Sequence, residues 1–194
     1  MKKHLTLLLL AACMALSGTI GAQPVVVTVG DGTTNGYAAP FNNFYKNSYN
    51  QMVYSSQSLT TAGMTAGYIG AIAYDCAALG AMTMDEIAIY MGTTPNATIP
   101  GTSPSDLVPM ANLTQVFHAT NFAMPSQIGW FQIVLDTPYQ YNPATDGNLA
   151  IVVCKKATAY ASTLKFNYTF VVMNNSSRST PHSLIASPTS FSFL

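Results

Sequence analysis

The chain has 194 residues, with seven basic and seven acidic side chains, 49% hydrophobic residues and only 7% charged ones. Charge this sparse and balanced excludes the clustered Lys and Arg that a nucleic-acid groove or an anionic membrane surface requires. Beyond Lys2 and Lys3, only Lys155 and Lys156 adjoin. The folded surface must therefore be wetted mainly by Ser, Thr, Asn, Gln and Tyr, as on many secreted β proteins.

The chain opens with Lys2 and Lys3, an apolar run over residues 5–16 and a small-residue exit over 17–22. These are the parts of a secretory signal peptide. A bilayer-spanning helix needs roughly 20 apolar residues, so the shorter run reads as a leader and no transmembrane helix is expected. The run L-A-A-C ending at Cys13 matches a bacterial lipoprotein signal, an alternative in which that cysteine carries a lipid anchor. Cleavage near Ala22 is the expectation. It leaves residues 23–194 as a single domain that works outside the cytoplasm, secreted or at the cell surface, or periplasmic without outer-membrane export.

The remainder shows short apolar runs of period two, broken by Gly, Pro, Asn, Asp or Ser. Residues 25–29 read as the first strand, 30–36 (G-D-G-T-T-N-G) as a loop and 49–55 as the second strand. Residues 56–62 suit one helical turn. In 67–74, alternation puts Tyr68, Gly70, Ile72 and Tyr74 on one face of a strand covered on both sides. An apolar connection over 77–84, a short helix or a loop, leads to a strand over 85–92. The Pro-, Thr- and Ser-rich stretch 93–110 is expected to be a surface excursion. Further strands are expected over 113–118, 129–135, 148–154, 164–173 and 189–194. About nine short strands with turn-type connections and no alternating helices predict an all-β, two-sheet antiparallel β-sandwich, jelly-roll-like. The inward sets are expected to be Ile87, Ile89 and Met91; Leu149, Ile151 and Val153; Phe131, Ile133 and Leu135; and Phe166, Tyr168 and Phe170. Trp130 is expected in the core.

Cys76 and Cys154 each end a predicted strand. Outside the cytoplasm they are permitted to form a disulfide, or they are two buried apolar thiols; spacing alone does not choose.

The blocks P-F-N-N-F-Y-K-N-S-Y-N-Q-M-V-Y (40–54), A-G-Y-I-G-A-I-A-Y (66–74) and D-E-I-A-I-Y-M-G-T-T (85–94) continue into W-F-Q-I-V-L-D-T-P-Y-Q-Y (130–141) and N-L-A-I-V-V (148–153). In this order they resemble the β-sandwich module of secreted and surface proteins of Bacteroidota, often found beside fibronectin type III, PKD-like, adhesin or peptidase domains. The resemblance implies a fold and an extracytoplasmic address rather than a chemistry. Such proteins often carry a separate C-terminal sorting domain, whereas this chain stops after its last predicted strand. It is read as a free-standing module or the front of a larger protein.

Catalytic patterns are thin. After the leader, the histidines are His118, read as an edge residue at a strand end, and His182, in the Ser- and Pro-rich segment 176–188; neither is accompanied by a G-x-S-x-G elbow. Glu86 is the sole glutamate, and Asp85 points to the opposite face of any strand containing both. No enzymatic activity is expected, and no cofactor. Calcium is the one candidate ion, through Asp146 in an Asp-Gly-Asn turn and Asp31 in a Gly-rich loop; a plain β-turn is the competing reading. Tyr37, Phe41, Phe44, Tyr45, Tyr49 and Tyr54 cluster in an Asn-rich segment. Most should fill the core, but Tyr37 and Tyr45 flank the 40–44 turn and are the candidate ligand-binding rings, with neighbouring Asn side chains supplying hydrogen bonds. The expected role is non-catalytic, surface interaction or adhesion with a glycan (carbohydrate binding) or a protein. The alternative is an accessory domain, or the front part, of an exported hydrolase or peptidase.

Overall fold

A period of two over long stretches places every second side chain on one pleated face, and two such faces buried against each other make a sandwich. The computed structural model describes residues 25–30, 32, 34–99, 103–168 and 191–193. The leader, Cys13, Asp31, Phe170 and His182 therefore lie outside the described residues.

Ten strands are described: β1 (Val27–Val29), β2 (Thr34–Gly36), β3 (Asn47–Tyr54), β4 (Gly67–Ala78), β5 (Thr83–Thr94), β6 (Leu113–Ala123), β7 (Gly129–Tyr141), β8 (Asn148–Lys156), β9 (Lys165–Tyr168) and β10 (Phe191–Phe193). One short helix, α1 (Ser56–Thr61), matches the expected helical turn. Ser55 caps it by accepting a hydrogen bond from Ser58 N at 3.1 Å, and Leu59 is its buried anchor. No helix among the described residues is long and apolar enough to cross a membrane.

The second sheet runs β3-β8-β5-β6, every pair antiparallel. In the first sheet β4 pairs with β7 along one edge. Along its other edge β4 meets β10, which carries β1, and then β9, which carries β2. Each of these short pairs stands where a regular sandwich has one longer strand. Taken as such, the two strand orders are those of a jelly roll.

Between the sheets lies the main core. Ile87, Ile89 and Met91 of β5 and Leu149, Ile151 and Val153 of β8 are fully buried, as their alternation predicts. Ile133, Leu135 and Phe166 join them, while Phe131 is partly buried against the same cluster. The open side between β6 and β7 is closed by the T-shaped ring contacts Phe117–Phe122 and Phe122–Phe131. Above them His118 N donates to Asp136 Oδ2 at 2.8 Å, stitching one sheet edge to the other.

Three expectations change. Residues 34–36 form a strand rather than a loop end: Thr34, Asn35 and Gly36 pair with Tyr168, Asn167 and Phe166. At Gly36 a Cβ would come within 3.1 Å of the Tyr168 ring, so a side chain there would require the ring to shift. In β4 the register shifts between Ile69 and Ala71, a bulge that flips the phase of the strand. Ile69, Ile72 and Tyr74 therefore point inward while Tyr68 is exposed. Trp130 is 52% exposed, since the period that turns Phe131 and Ile133 inward turns Trp130 outward.

The stretch following β5 is a surface excursion, as expected. It crosses the outer face of the second sheet, where Ile99 and Val108 pack on Val53 and Ala150 in a second small core. Gln51 holds it down with both amide atoms, Nε2 donating to Val108 O at 3.2 Å and Oε1 accepting from Val108 N at 2.8 Å. β8 is consequently covered on both faces. Gly92 lies beneath the end of the stretch, where a Cβ would come within 2.5 Å of Asn112 O.

Candidate functional site

The segment 37–46 leads from β2 to β3 and folds back on itself. Asn43 N donates to Tyr37 O at 2.7 Å, and Tyr45 N donates to Asn42 O at 3.2 Å. Asn42 has φ of +46°, a left-handed position that Asn tolerates better than most residues. Ser48 Oγ donates to Phe41 O at 2.7 Å, and Ala161 N donates to Asn43 O at 2.9 Å. Phe41 is the plug of the turn, fully buried and edge-on to Tyr74 and Phe166 at 5.5 and 5.2 Å between ring centroids.

With Phe41 inward, the remaining rings of the segment face solvent. Tyr37, Phe44 and Tyr45 are 39%, 47% and 40% exposed. Phe44 lies 5.4 Å from Tyr37 and 5.2 Å from Tyr45, so the three form one contiguous aromatic patch. The structure thus brings the two expected rings together through a third that the sequence reading left out. Phe44 was detectable as the ring lying between them, but whether Phe41 or Phe44 turns inward depends on the turn's backbone. Tyr54 is buried and Tyr49 half-buried, its hydroxyl directed at Met110 Sδ.

Of the expected hydrogen-bonding neighbours, Asn47 at the start of β3 is exposed, but the others are not available to a ligand at this patch. Asn42 and Asn43 are buried under the turn, as is Asn50 on β3. Lys155 is buried too, only 4% exposed at the inner end of β8, and its Nζ donates to Tyr45 O at 2.6 Å. Burial lowers its pKa to about 8. The ammonium thus holds the backbone directly beneath the aromatic patch.

Other expected site residues stay apart from it. Asp146 belongs to the turn between β7 and β8, where its Oδ2 accepts from Asn142 N and its Oδ1 from Thr145 Oγ1, each at 2.8 Å. Both carboxylate oxygens therefore serve the turn, which Gly147 completes at φ +82°. Beside it is a shallow polar depression of about 400 Å³ bordered by Gln140, Asn142 and Thr145. Tyr141 donates to Gly147 O, and burial together with the Asp146 charge pushes its hydroxyl up to about 12. Among the described residues no three His, Cys, Asp or Glu side chains are grouped to hold a metal ion.

His118 stands in the middle of β6, an edge strand, rather than at a strand end, and its Nε2 is 3.1 Å from Glu86 Oε1 on β5. Both side chains are about half exposed. The disulfide does not form. Cys76 faces the core from the first sheet, whereas Cys154 alternates with the inward Val153 and so lies on the outer side of the second sheet, and both thiols are free.

No family model, curated protein or solved structure matches the chain.

Proposed function

We propose that the protein is an exported, non-catalytic interaction module that engages a glycan or protein partner through Tyr37, Phe44 and Tyr45. The observation that carries this reading is the contiguous exposure of three rings on a turn that spends its other groups on holding itself in place. Rigid aromatic surface lets a partner gain apolar contact with little loss of side-chain freedom, which is why such rings dominate binding surfaces. Backbone anchors at Tyr37, Phe41, Asn43 and Tyr45 fix the patch before a partner arrives, so little ordering cost remains to be met on binding. Export rests on the leader-like residues 1–22.

The test is a glycan array and a pull-down from surface fractions with the wild-type chain and with Tyr37→Ala, Phe44→Ala and Tyr45→Ala. Each substitution is expected to weaken capture by about tenfold while leaving the unfolding midpoint within the range of ordinary surface changes. Capture indifferent to all three removes the patch from the function, and hydrolysis by the isolated protein overturns the non-catalytic reading. The intact mass of the exported chain should begin at Gln23; an acylated Cys13 would replace free export with anchoring.

A further inference from the structure

The geometry points to a second surface, on the outer face of the first sheet, that binds a neutral polysaccharide chain. Four strands lie side by side there, and their register aligns one residue from each: Trp130 of β7 opposite Asp75 of β4, Asp75 adjacent to Asn167 of β9, and Asn167 opposite Asn35 of β2. All four alternate with inward-facing neighbours and so share the solvent side. Trp130 and Asn35 are exposed at the two ends. Strand spacing of about 4.8 Å makes the row about 14 Å long, which suits a short run of sugar rings better than a single one.

The chemistry of the row is that of a sugar rather than of a protein surface. The indole offers a flat apolar face to the C–H face of a pyranose. The two carboxamides each present a donor and an acceptor in one plane, as vicinal hydroxyls require. Asn167 Nδ2 already donates to Asp75 Oδ2 at 2.6 Å, which holds both side chains in place before a ligand arrives. On the next row the exposed Gln132, two residues along β7 from the indole, lies opposite Ala73 and adds a further carboxamide to the face.

A protein partner fits less well. Of the exposed apolar side chains of this face, Trp130 and Val134 are separated along β7 by Gln132, and Tyr68 of β4 lies opposite Gln140 at the far end of the pair, so they do not merge into the apolar centre that protein interfaces carry. An anionic ligand is also disfavoured: the row contains a carboxylate, and Lys165, two residues along β9, is a single cation rather than a cluster.

The row reaches β2, which leads into the aromatic turn, but its indole lies three strands away on β7, and the surface stands without the turn. Trp130 is the sole tryptophan of the chain, so its emission reports directly on the row. The full chain is titrated with mixed-linkage β-glucan, xylan and galactomannan, with polygalacturonate as the anionic comparator. At least one neutral polysaccharide is expected to shift the emission to the blue and to protect it from acrylamide. In affinity electrophoresis, Trp130→Ala should weaken binding of that polysaccharide by about tenfold and Asn35→Ala by about threefold, with Tm unchanged. The triple Tyr37→Ala, Phe44→Ala, Tyr45→Ala variant should retain it, which separates this site from the turn. No response to any of the three neutral chains, equal binding by Trp130→Ala, or a response to polygalacturonate alone overturns the assignment.

Discussion

Lys155 shows how a single residue can escape a pattern that otherwise holds. Its strand position, two beyond Val153, is core-facing, so the alternation that buries Leu149, Ile151 and Val153 buries an ammonium as well. Periodicity indicates the face; it does not reveal that a carbonyl, that of Tyr45, waits at the end of the stem. The charge nevertheless loses hydration, and this sets a pH dependence. Below about 8 the lysine is protonated in both folded and unfolded chains, and the cost of burial is present in full. Between about 8 and the ordinary lysine pKa near 10.4 the folded chain has shed the proton while the unfolded chain still binds it, so stability rises with pH. Relative to Lys155→Met, which keeps the stem and removes the charge, wild type should gain about 2 kcal/mol from pH 7 to pH 10. The comparison cancels contributions from the buried Tyr and Cys side chains. Urea midpoints of the two chains at pH 7, 8.5 and 10 check it, and a constant difference would show that the ammonium is solvated in the folded state.

At the scale of elements, what was legible was whatever repeats. β5, β7 and β8 announce their inward faces because apolar residues recur at every second position over at least five residues. β2 does not, since Thr, Asn and Gly carry no such pattern and the strand exists only because β9 supplies backbone partners. Tyr68 was misplaced because a bulge is a property of pairing, invisible in one strand alone. The stretch after β5 was legible as a surface excursion, since its Pro, Ser and Thr content denies a regular strand, but that content does not say what holds the excursion against the sheet. Gln51 and two apolar side chains, Ile99 and Val108, decide that it stays. Replacing Gln51 by Ala leaves a buried N–H and C=O of Val108 without partners, so stability should fall by about 2–4 kcal/mol. The urea midpoint should drop with little change in slope. Proteolysis should increase within the 95–112 stretch before it increases elsewhere. Gly92→Ala should loosen the same stretch by pushing Asn112 and Leu113 away, and an unaltered cleavage pattern in both variants would detach the stretch from the sheet.

For the whole molecule, the sheets are held together by packing and by edge contacts rather than by a covalent bridge. Sequence places Cys76 and Cys154 on strands, but only the pairing of strands into sheets shows that one thiol faces the core from the first sheet while the other lies outside the second. Burial raises the pKa of both thiols, so neither is an activated nucleophile at neutral pH. Their surroundings still differ. Cys154 is partly exposed, whereas Cys76 sits within the cluster containing Tyr74, Phe41 and Phe166, where a reagent arrives only if the sheets separate. In a Cys13→Ser background, a thiol reagent should therefore react in two phases. The first belongs to Cys154 and vanishes in Cys154→Ala; the second belongs to Cys76 and follows the global unfolding rate as urea is raised. Reductant should leave the unfolding midpoint unchanged, and two thiols should titrate in denaturant with or without it. A midpoint that falls on reduction, or fewer than two thiols without reductant, would mean that the strands carrying the cysteines pair differently, and the jelly-roll strand order would fall with them.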